Sequence, residues 1–416
     1  MAGVVLLVLL AAGSATAQIS NWSTGHTYVY KLRPEVRIPV TPLGYRAPGD
    51  LPAFHYYSLV ALHFLDSDHV LFSFNTTGLM ARKGGCQPDG TERMTRVVVV
   101  DLATGKVTRQ ADWQLDDYAQ YLWGLPAGQV LLRRCSQLSV MDARLEPHVL
   151  INIDGSVELM NQSADRSLLL VEEKKKTAAE AASARASTSV VTGMPQFLHQ
   201  TELRDLAVNF IRLHPLGVLA TSQSQQVVDL PVLSTGFLEA LNQPQDMWQV
   251  NLQPYRGKLQ SVGQIHSTCT PQVVALTGNT FLAIVCKGDD QTQQMFEAYD
   301  LQGSLLWRQP VDANRDAPQF AYAENLSRFA VATLHTTHQM AALDPLNSDD
   351  VDGQIVDVYE AKTGKLLLSF RTTPVYTAGQ NFALSPTGDR LAVLHDDAIE
   401  IYNLKELPKG PPPSLR

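Results

Sequence analysis

The chain has 416 residues, of which 45% are hydrophobic and 18% are charged, so it carries enough apolar material for a sizeable core. Its net charge is −8, from 33 Lys and Arg against 41 Asp and Glu. Because the chain has no basic surplus, its composition argues against a protein that binds nucleic acid.

Residues 1–17 have the pattern of a secretory signal peptide. An apolar run from Val4 to Ala12 is followed by small residues that end in Ala15-Thr16-Ala17, a sequence that signal peptidase accepts. The run is shorter than the roughly 20 residues that span a bilayer. We therefore expect cleavage near Ala17 and an extracytoplasmic mature chain, periplasmic or secreted, without a transmembrane segment.

Residues 18–54 form an N-terminal segment that precedes the main domain. Within it, the stretch HTYVYKL around Tyr28 alternates apolar and polar residues as a β-strand does. This strand has no obvious partner in its own neighbourhood, so we expect it to pair with a distant part of the chain.

A two-part unit recurs from about residue 55 to residue 404. Its first half is a polar turn before an apolar strand, as in FLDSDHVLFSF from Phe64, QSADRSLLLVEE from Gln162 and FALSPTGDRLAV from Phe382. Its second half is an apolar strand, a short polar residue and a turn, as in VVVVDLATGKVTRQ, FEAYDLQGSLLWRQ and IEIYNLKELP. Neighbouring copies lie about 40 to 60 residues apart, which predicts an all-β protein built of four-stranded propeller blades.

Counting the copies gives seven blades, although the spacing also admits six or eight. The predicted starts are His55, Tyr118, Gly155, Asn209, Thr270, Ala317 and Val375. Residues 201–241 can be divided in more than one way, so the boundaries of blades three and four stay open. The last blade lacks a fourth strand after Asn403, and we expect an N-terminal strand to close the ring. Residues 405–416 are expected to be a disordered tail.

The four cysteines fit an oxidising compartment. In CTPQVVALTGNTFLAIVC, a hairpin about Thr277-Gly278 places Cys269 opposite Cys286, within reach of a disulfide. Two buried free thiols are the alternative. The remaining pair, Cys86 and Cys135, is expected to bridge by elimination.

The stretch DPLNSDDVDGQ, Asp344 to Gln354, approaches a calcium-binding loop. Asp350 and Asp352 would supply oxygen ligands, Gly353 would supply the turn, and Ser348 would take the first position. However, Tyr359 stands where a bidentate Glu belongs. A solvated acidic loop is therefore the alternative, and no other cofactor is expected.

Two motifs resemble known repeats. The S-P-x-G-x-R-L-A pattern at Ser385 to Ala392 and the D-L-x-T-G-K pattern at Asp101 to Lys106 resemble the bacterial extracytoplasmic propeller repeats of the YVTN and TolB-like kind. They are also distantly similar to WD40 repeats. The resemblance implies a propeller architecture and leaves the function open.

Three long insertions indicate where a partner would bind. They follow the second strands of blades one, three and six, at residues 75–94, 172–193 and 335–354. In a propeller, second-to-third-strand connections and the links between blades share one face, here called the loop face. Long loops on a rigid scaffold commonly carry binding sites, although they can also be tolerated surface insertions.

Two functions follow from this arrangement. The sequence favours a secreted, non-enzymatic propeller that binds a protein or another extracellular ligand through the loop face. The alternative is an extracytoplasmic propeller enzyme, either a lactonase-like hydrolase or a carbohydrate-active enzyme, with its site in the central channel.

Overall fold

The structure is a computed structural model. It describes residues 33–47, 56–57, 60–76, 80–81, 94–115, 120–153, 155–174, 206–224, 230–288, 293–312, 314–338, 348–373 and 380–405. Within these ranges the regular structure is almost entirely β, with two short 3-10 helices at Thr41–Leu43 and Ser348–Asp350. In the described part of the chain, no helix has the length and apolar character to cross a membrane.

Seven four-stranded antiparallel sheets form the blades, and the chain enters them after two short strands, β1 (Val36–Pro39) and β2 (Tyr56–Tyr57). Blade one contains β3 (Ala61–Phe64), β4 (His69–Asn75), β6 (Met94–Asp101) and β7 (Lys106–Gln114), while β5 (Met80–Ala81) pairs with β2. Blade two contains β8 (Leu122–Gly124), β9 (Val130–Arg134), β10 (Gln137–Met141) and β11 (His148–Asn152). Blade three contains β12 (Ser156–Gln162), β13 (Leu168–Lys174), β14 (Leu206–Leu213) and β15 (Leu216–Ser224).

The remaining blades repeat the same order. Blade four contains β16 (Val232–Leu233), β17 (Gly236–Gln243), β18 (Met247–Pro254) and β19 (Gln260–His266). Blade five contains β20 (Gln272–Ala275), β21 (Thr280–Lys287), β22 (Gln293–Asp300) and β23 (Leu305–Val311). Blade six contains β24 (Arg315–Tyr322), β25 (Arg328–Thr336), β26 (Val351–Glu360) and β27 (Leu366–Thr372). Blade seven contains β28 (Phe382–Leu384), β29 (Arg390–His395) and β30 (Ala398–Asn403), with β1 as its outermost strand.

The prediction of seven blades closed by an N-terminal strand is confirmed. The closing strand is β1, whose Ile38 pairs with Ile399 of β30, whereas the stretch around Tyr28 lies outside the described residues. The predicted start of blade four at Asn209 is wrong. Asn209 pairs with Val171 inside blade three, and blade four begins at Val232. An insertion separates β13 from β14, so β14 resembles the opening strand of a new unit in the sequence.

Each pair of neighbouring blades shares one hydrophobic cluster. In β29, Leu391 and Val393 pack in the cluster between blades six and seven, while Ala392 and Leu394 pack in the cluster between blades seven and one. Both faces of an inner strand are thus buried, which explains its unbroken apolar sequence. Equivalent clusters join blades one to two, two to three, three to four, four to five and five to six. The ring is therefore closed by packing as well as by the β1–β30 ladder.

Candidate functional site

The first strands of the seven blades surround a central channel. A cavity of about 250 Å³ lies in this channel and is lined by residues from all seven blades. The channel has two distinct ends. The turns between first and second strands lie at one end, on what we call the turn face, and the loop face lies at the other.

Amide side chains form much of the polar lining. First strands are inner edges, so backbone groups that face the channel lack a neighbouring strand to pair with. Gln120 Nε2 donates to the carbonyl oxygen of Leu122 at 3.1 Å, and Gln162 Nε2 donates to that of Gly124 at 3.0 Å. Gln272 and Gln380 also line the cavity, and the Gln380 Oε1 atom is buried without a hydrogen-bond partner. The lining therefore combines neutral hydrogen-bonding groups with apolar side chains.

Arg166 crosses the channel at the turn face. It belongs to the turn between β12 and β13 of blade three, and its Nη2 donates to the carbonyl oxygen of Tyr322 in blade six at 2.6 Å. Burial lowers the pKa of Arg166, and the charge of Glu324 opposes this effect. Glu324 in turn accepts a hydrogen bond from the backbone N–H of Ala127 at 3.4 Å. These contacts link the turns of blades two, three and six.

His63 lies beside Arg166. Its side chain belongs to β3, is only 9% exposed, and lines the same cavity. Burial, followed by the charge of Arg166, lowers the pKa of His63 to about 3, so the imidazole is neutral at pH 7. Its Nε2 atom is buried and has no hydrogen-bond partner. None of the lining residues that the structure describes is an Asp or Glu.

The predicted calcium ligands lie on blade six at the loop face. Asp352 Oδ1 accepts hydrogen bonds from His335 Nδ1 at 2.6 Å and from Arg371. These hydrogen bonds outweigh the effect of burial and hold the pKa of Asp352 below its usual range. Asp350 Oδ1 lies 3.9 Å from His338 Nε2. Over the described ranges, no group of three or more His, Cys, Asp or Glu residues is arranged to hold a metal ion.

The three cysteines that the structure describes, Cys135, Cys269 and Cys286, also lie toward the loop face. The structure contains the predicted disulfide between Cys269 and Cys286, with their Cα atoms 5.4 Å apart. Cys135 is disulfide-bonded, while its predicted partner Cys86 lies outside the described residues. Most of residues 75–94 and 172–193, and residues 339–347 of the third insertion, lie outside them as well. These segments connect β4 to β6, β13 to β14 and β25 to β26, which are second-to-third-strand connections.

Sequence reasoning missed both channel residues. His63 follows no motif, and its environment is created by blades two and three. Arg166 offered a signal, because it occupies the turn position at which the sharpest repeat copy has Gly388. A long cation at that point of a tight turn is unusual, and it could have been singled out.

Comparisons with known proteins show the fold alone. No family model matches the chain, and no curated protein matches it. The acylaminoacyl peptidase of Pyrococcus horikoshii is similar in structure, with a TM-score of 0.50 and 10% identity over 84% of this chain and 53% of that one. This chain therefore spans about half the length of that peptidase.

Two further solved structures are less similar. The propeller domain of the Trilobed protease from Pyrococcus furiosus has a TM-score of 0.47 and 10% identity, over 85% of this chain and 98% of that one. The WD40 domain of Toxoplasma gondii coronin has a TM-score of 0.44 and 10% identity, over 90% of this chain and 84% of that one. The neighbours are thus β-propeller and WD40 proteins, while the relation to YVTN and TolB-like repeats stays a prediction.

Proposed function

We propose that this protein is an extracytoplasmic β-propeller that binds a ligand, or an extended segment of a partner protein, at the mouth of its central channel on the loop face. The observation that carries the proposal is the channel lining. Amide and apolar side chains there surround Arg166 and the neutral His63. Concave sites of this composition, with a few convergent polar groups, are typical binding sites.

The direction of access follows from the two ends of the channel. Arg166 and Tyr322 are joined across the turn face. The first residues of the inner strands, such as Gln272 of β20, lie toward the loop face, where the three long connections also emerge. A ligand that enters from the loop face would meet Gln120, Gln272 and Gln380 first and Arg166 last.

Two features support an extracytoplasmic location. The Cys269–Cys286 disulfide suits an oxidising compartment. Residues 1–17 have the composition of a signal peptide.

A channel enzyme is the rival function, and the ionisable groups favour binding over acid–base catalysis. A general base works best with a pKa near the operating pH, and His63, with a pKa of about 3, is far weaker than that. Arg166 uses one donor on the Tyr322 carbonyl oxygen. Both side chains are therefore better suited to holding a ligand than to moving its protons.

Blocking the channel mouth tests the proposal. Gln272 is exposed and lines the cavity, so Gln272→Trp should fill the mouth and leave the fold intact. Gln260→Trp is the matched control, because Gln260 is exposed on β19, the outermost strand of blade four. Thermal shifts of the mature chain would be recorded with glucose, gluconolactone, triglycine and calcium chloride, since a ligand of the folded state raises the melting temperature.

At least one probe should give a saturable shift in the wild type and in Gln260→Trp, and none in Gln272→Trp. A shift of equal size in all three proteins, or none in any of them, would overturn the channel mouth as the binding site. Hydrolysis of the lactone that Gln272→Trp abolishes would favour the rival enzyme instead.

A further inference from the structure

Arg166 occupies a backbone position that ordinarily suits glycine. Its φ is +60°, compared with +71° for Gly388 and +54° for Leu326. The three residues are equivalent, because each donates its backbone N–H to the carbonyl oxygen three residues earlier, at 2.8, 2.8 and 2.9 Å respectively. Residues other than glycine seldom adopt this conformation, and strained residues cluster at functional sites. Leu326 packs against the cluster between blades four and five, whereas the side chain of Arg166 enters the channel.

The guanidinium of Arg166 is a cation in largely neutral surroundings. Burial lowers its pKa more than the charge of Glu324 raises it. Its hydrogen-bond partner Tyr322 offers an uncharged carbonyl oxygen. An Arg has five N–H donors, so further donors remain for another acceptor in the cavity. A desolvated guanidinium favours an anionic oxygen over a neutral one.

A second polar group points to the same place. His63 is nine-tenths buried and lines the cavity, and its Nε2 has no hydrogen-bond partner. Arg166 Nη1 and His63 Nδ1 lie 3.3 and 3.5 Å from the point that a Cβ atom on Gly124 would occupy. Gly124 therefore leaves space where the two side chains meet. The neutral ring donates its other N–H to the backbone of Leu122, so Nε2 is an acceptor. A buried acceptor without a partner is costly, and a hydroxyl group of a ligand could relieve that cost.

We propose that Arg166 forms an anion-binding subsite that receives the carboxylate of a small ligand, and that His63 Nε2 accepts a hydrogen bond from a hydroxyl group of the same ligand. The inference rests on the proposed binding function of the channel and names the chemistry of the ligand. A single guanidinium, whose charge Glu324 already offsets in part, balances at most one further negative charge, which fits a carboxylate better than a phosphate dianion. The amide of Gln380, with its unpartnered Oε1, would accept a hydrogen bond from a hydroxyl elsewhere on the same ligand.

Matched pairs of probes test the charge requirement. Calorimetric titration of the full mature chain at pH 7 would compare acetate with acetamide, benzoate with benzamide, and glucuronate with glucose, and would include inorganic phosphate. The variants are Arg166→Met, which removes the charge, and Arg166→Lys, which keeps it. Arg166→Gly is added because it removes the charge and suits the left-handed backbone, so a folded variant without the guanidinium remains available.

At least one carboxylate should bind tenfold or more tightly than its neutral partner. Arg166→Met and Arg166→Gly should lose that preference, and Arg166→Lys should keep part of it. Equal binding of both members of every pair would overturn the anion subsite. If neutral probes nevertheless bind and Gln272→Trp blocks their binding, the proposed binding function of the channel stands without the anion subsite. Phosphate that binds more tightly than every carboxylate, in a manner that Arg166→Met abolishes, would overturn the carboxylate assignment.

Discussion

Buried ionisable side chains in this propeller are stabilised in two different ways. Arg315 and Asp357, 8% and 3% exposed, form an ion pair with each other inside blade six. His63 is equally deep in the ring but stays neutral, because burial and the neighbouring Arg166 disfavour its protonated form. Arg315 and Asp357 thus offset the cost of burial by pairing, whereas His63 offsets it by losing its charge.

The neutral state of His63 predicts a loss of stability in mild acid. The pKa of His63 falls from 6.5 to about 3 on folding. Between about pH 6.5 and pH 3, His63 is therefore protonated in the unfolded chain and neutral in the folded chain. The contribution of neutral His63 to the free energy of unfolding is complete above about pH 6.5 and is lost as the pH falls toward about 3. At pH 5 the loss should be about 2 kcal/mol relative to pH 7. Urea denaturation at pH 7, 6 and 5 measures it.

In His63→Gln, the fall in the free energy of unfolding between pH 7 and pH 5 should be about 2 kcal/mol smaller than in the wild type. His266→Gln is the matched control for the substitution itself, because His266 is exposed. Parallel curves for wild type and His63→Gln would show that His63 titrates normally in the folded protein.

Contacts between residues that lie close together in the sequence could be predicted from the sequence. The disulfide bridge joins Cys286, in the second strand of a hairpin, to Cys269, in the loop that precedes its first strand, so turn composition and strand alternation were sufficient to pair them. The contact of Arg166 with Tyr322 joins residues 156 positions apart, across the channel. No local pattern encodes such a contact, because only closure of the ring brings the two turns together.

Among the elements, the third strands of blades five, six and seven share a carboxylate-x-Tyr motif. In each strand the two side chains lie on the same side, and the hydroxyl donates to the carboxylate: Tyr299 to Glu297 at 2.6 Å, Tyr359 to Asp357 at 3.3 Å and Tyr402 to Glu400 at 2.5 Å. Each carboxylate also meets a cation, respectively Lys287, Arg315 and Arg37. The repeat thus conserves an internal polar network as well as an apolar pattern.

Loss of one such hydroxyl should be costly. Tyr402→Phe leaves the buried Glu400 carboxylate without its short hydrogen bond, and a hydrogen bond to a charged group contributes about 1.5–3 kcal/mol. The free energy of unfolding in urea should fall by that amount. Tyr255→Phe is the matched control, because Tyr255 donates to the neutral carbonyl oxygen of Leu233 at 2.8 Å and its loss should cost only about 1 kcal/mol. Equal losses in the two variants would mean that the carboxylate adds nothing.

Most strands could be located from apolar patterns, and the exception is informative. β14 is largely apolar, as a strand that opens a blade is, and it lies far along the chain from β13. Its pairing with β13, from Leu168–Arg212 to Lys174–Leu206, is set by contacts across that insertion. Sequence spacing carries no information about such a pairing, so the division of blades three and four could not be predicted.

At the scale of the whole molecule, one short strand joins the two ends of the ring. β1 pairs with β30, and residues about 360 positions apart in sequence become neighbours, such as Arg37 and Glu400. Ile38 is 3% exposed and packs in the cluster that joins blades seven and one. The sequence predicted closure because the last blade lacked a fourth strand. It did not identify β1, since four residues with one Pro form a weak strand signal.

Closure by β1 predicts that Ile38→Ala will destabilise the protein as a core substitution does. Removal of a buried Ile side chain to Ala costs about 2–5 kcal/mol, because burial is lost and a cavity remains. Hydrogen exchange should also accelerate in β28, β29 and β30, while β17 and β18, which belong to the separate sheet of blade four, should keep their protection. Val218→Ala, at a residue 58% exposed on the outermost strand of blade three, should cost less than about 0.5 kcal/mol. If the two variants were equally stable and blade seven kept its protection, the ring would have to be held closed without β1.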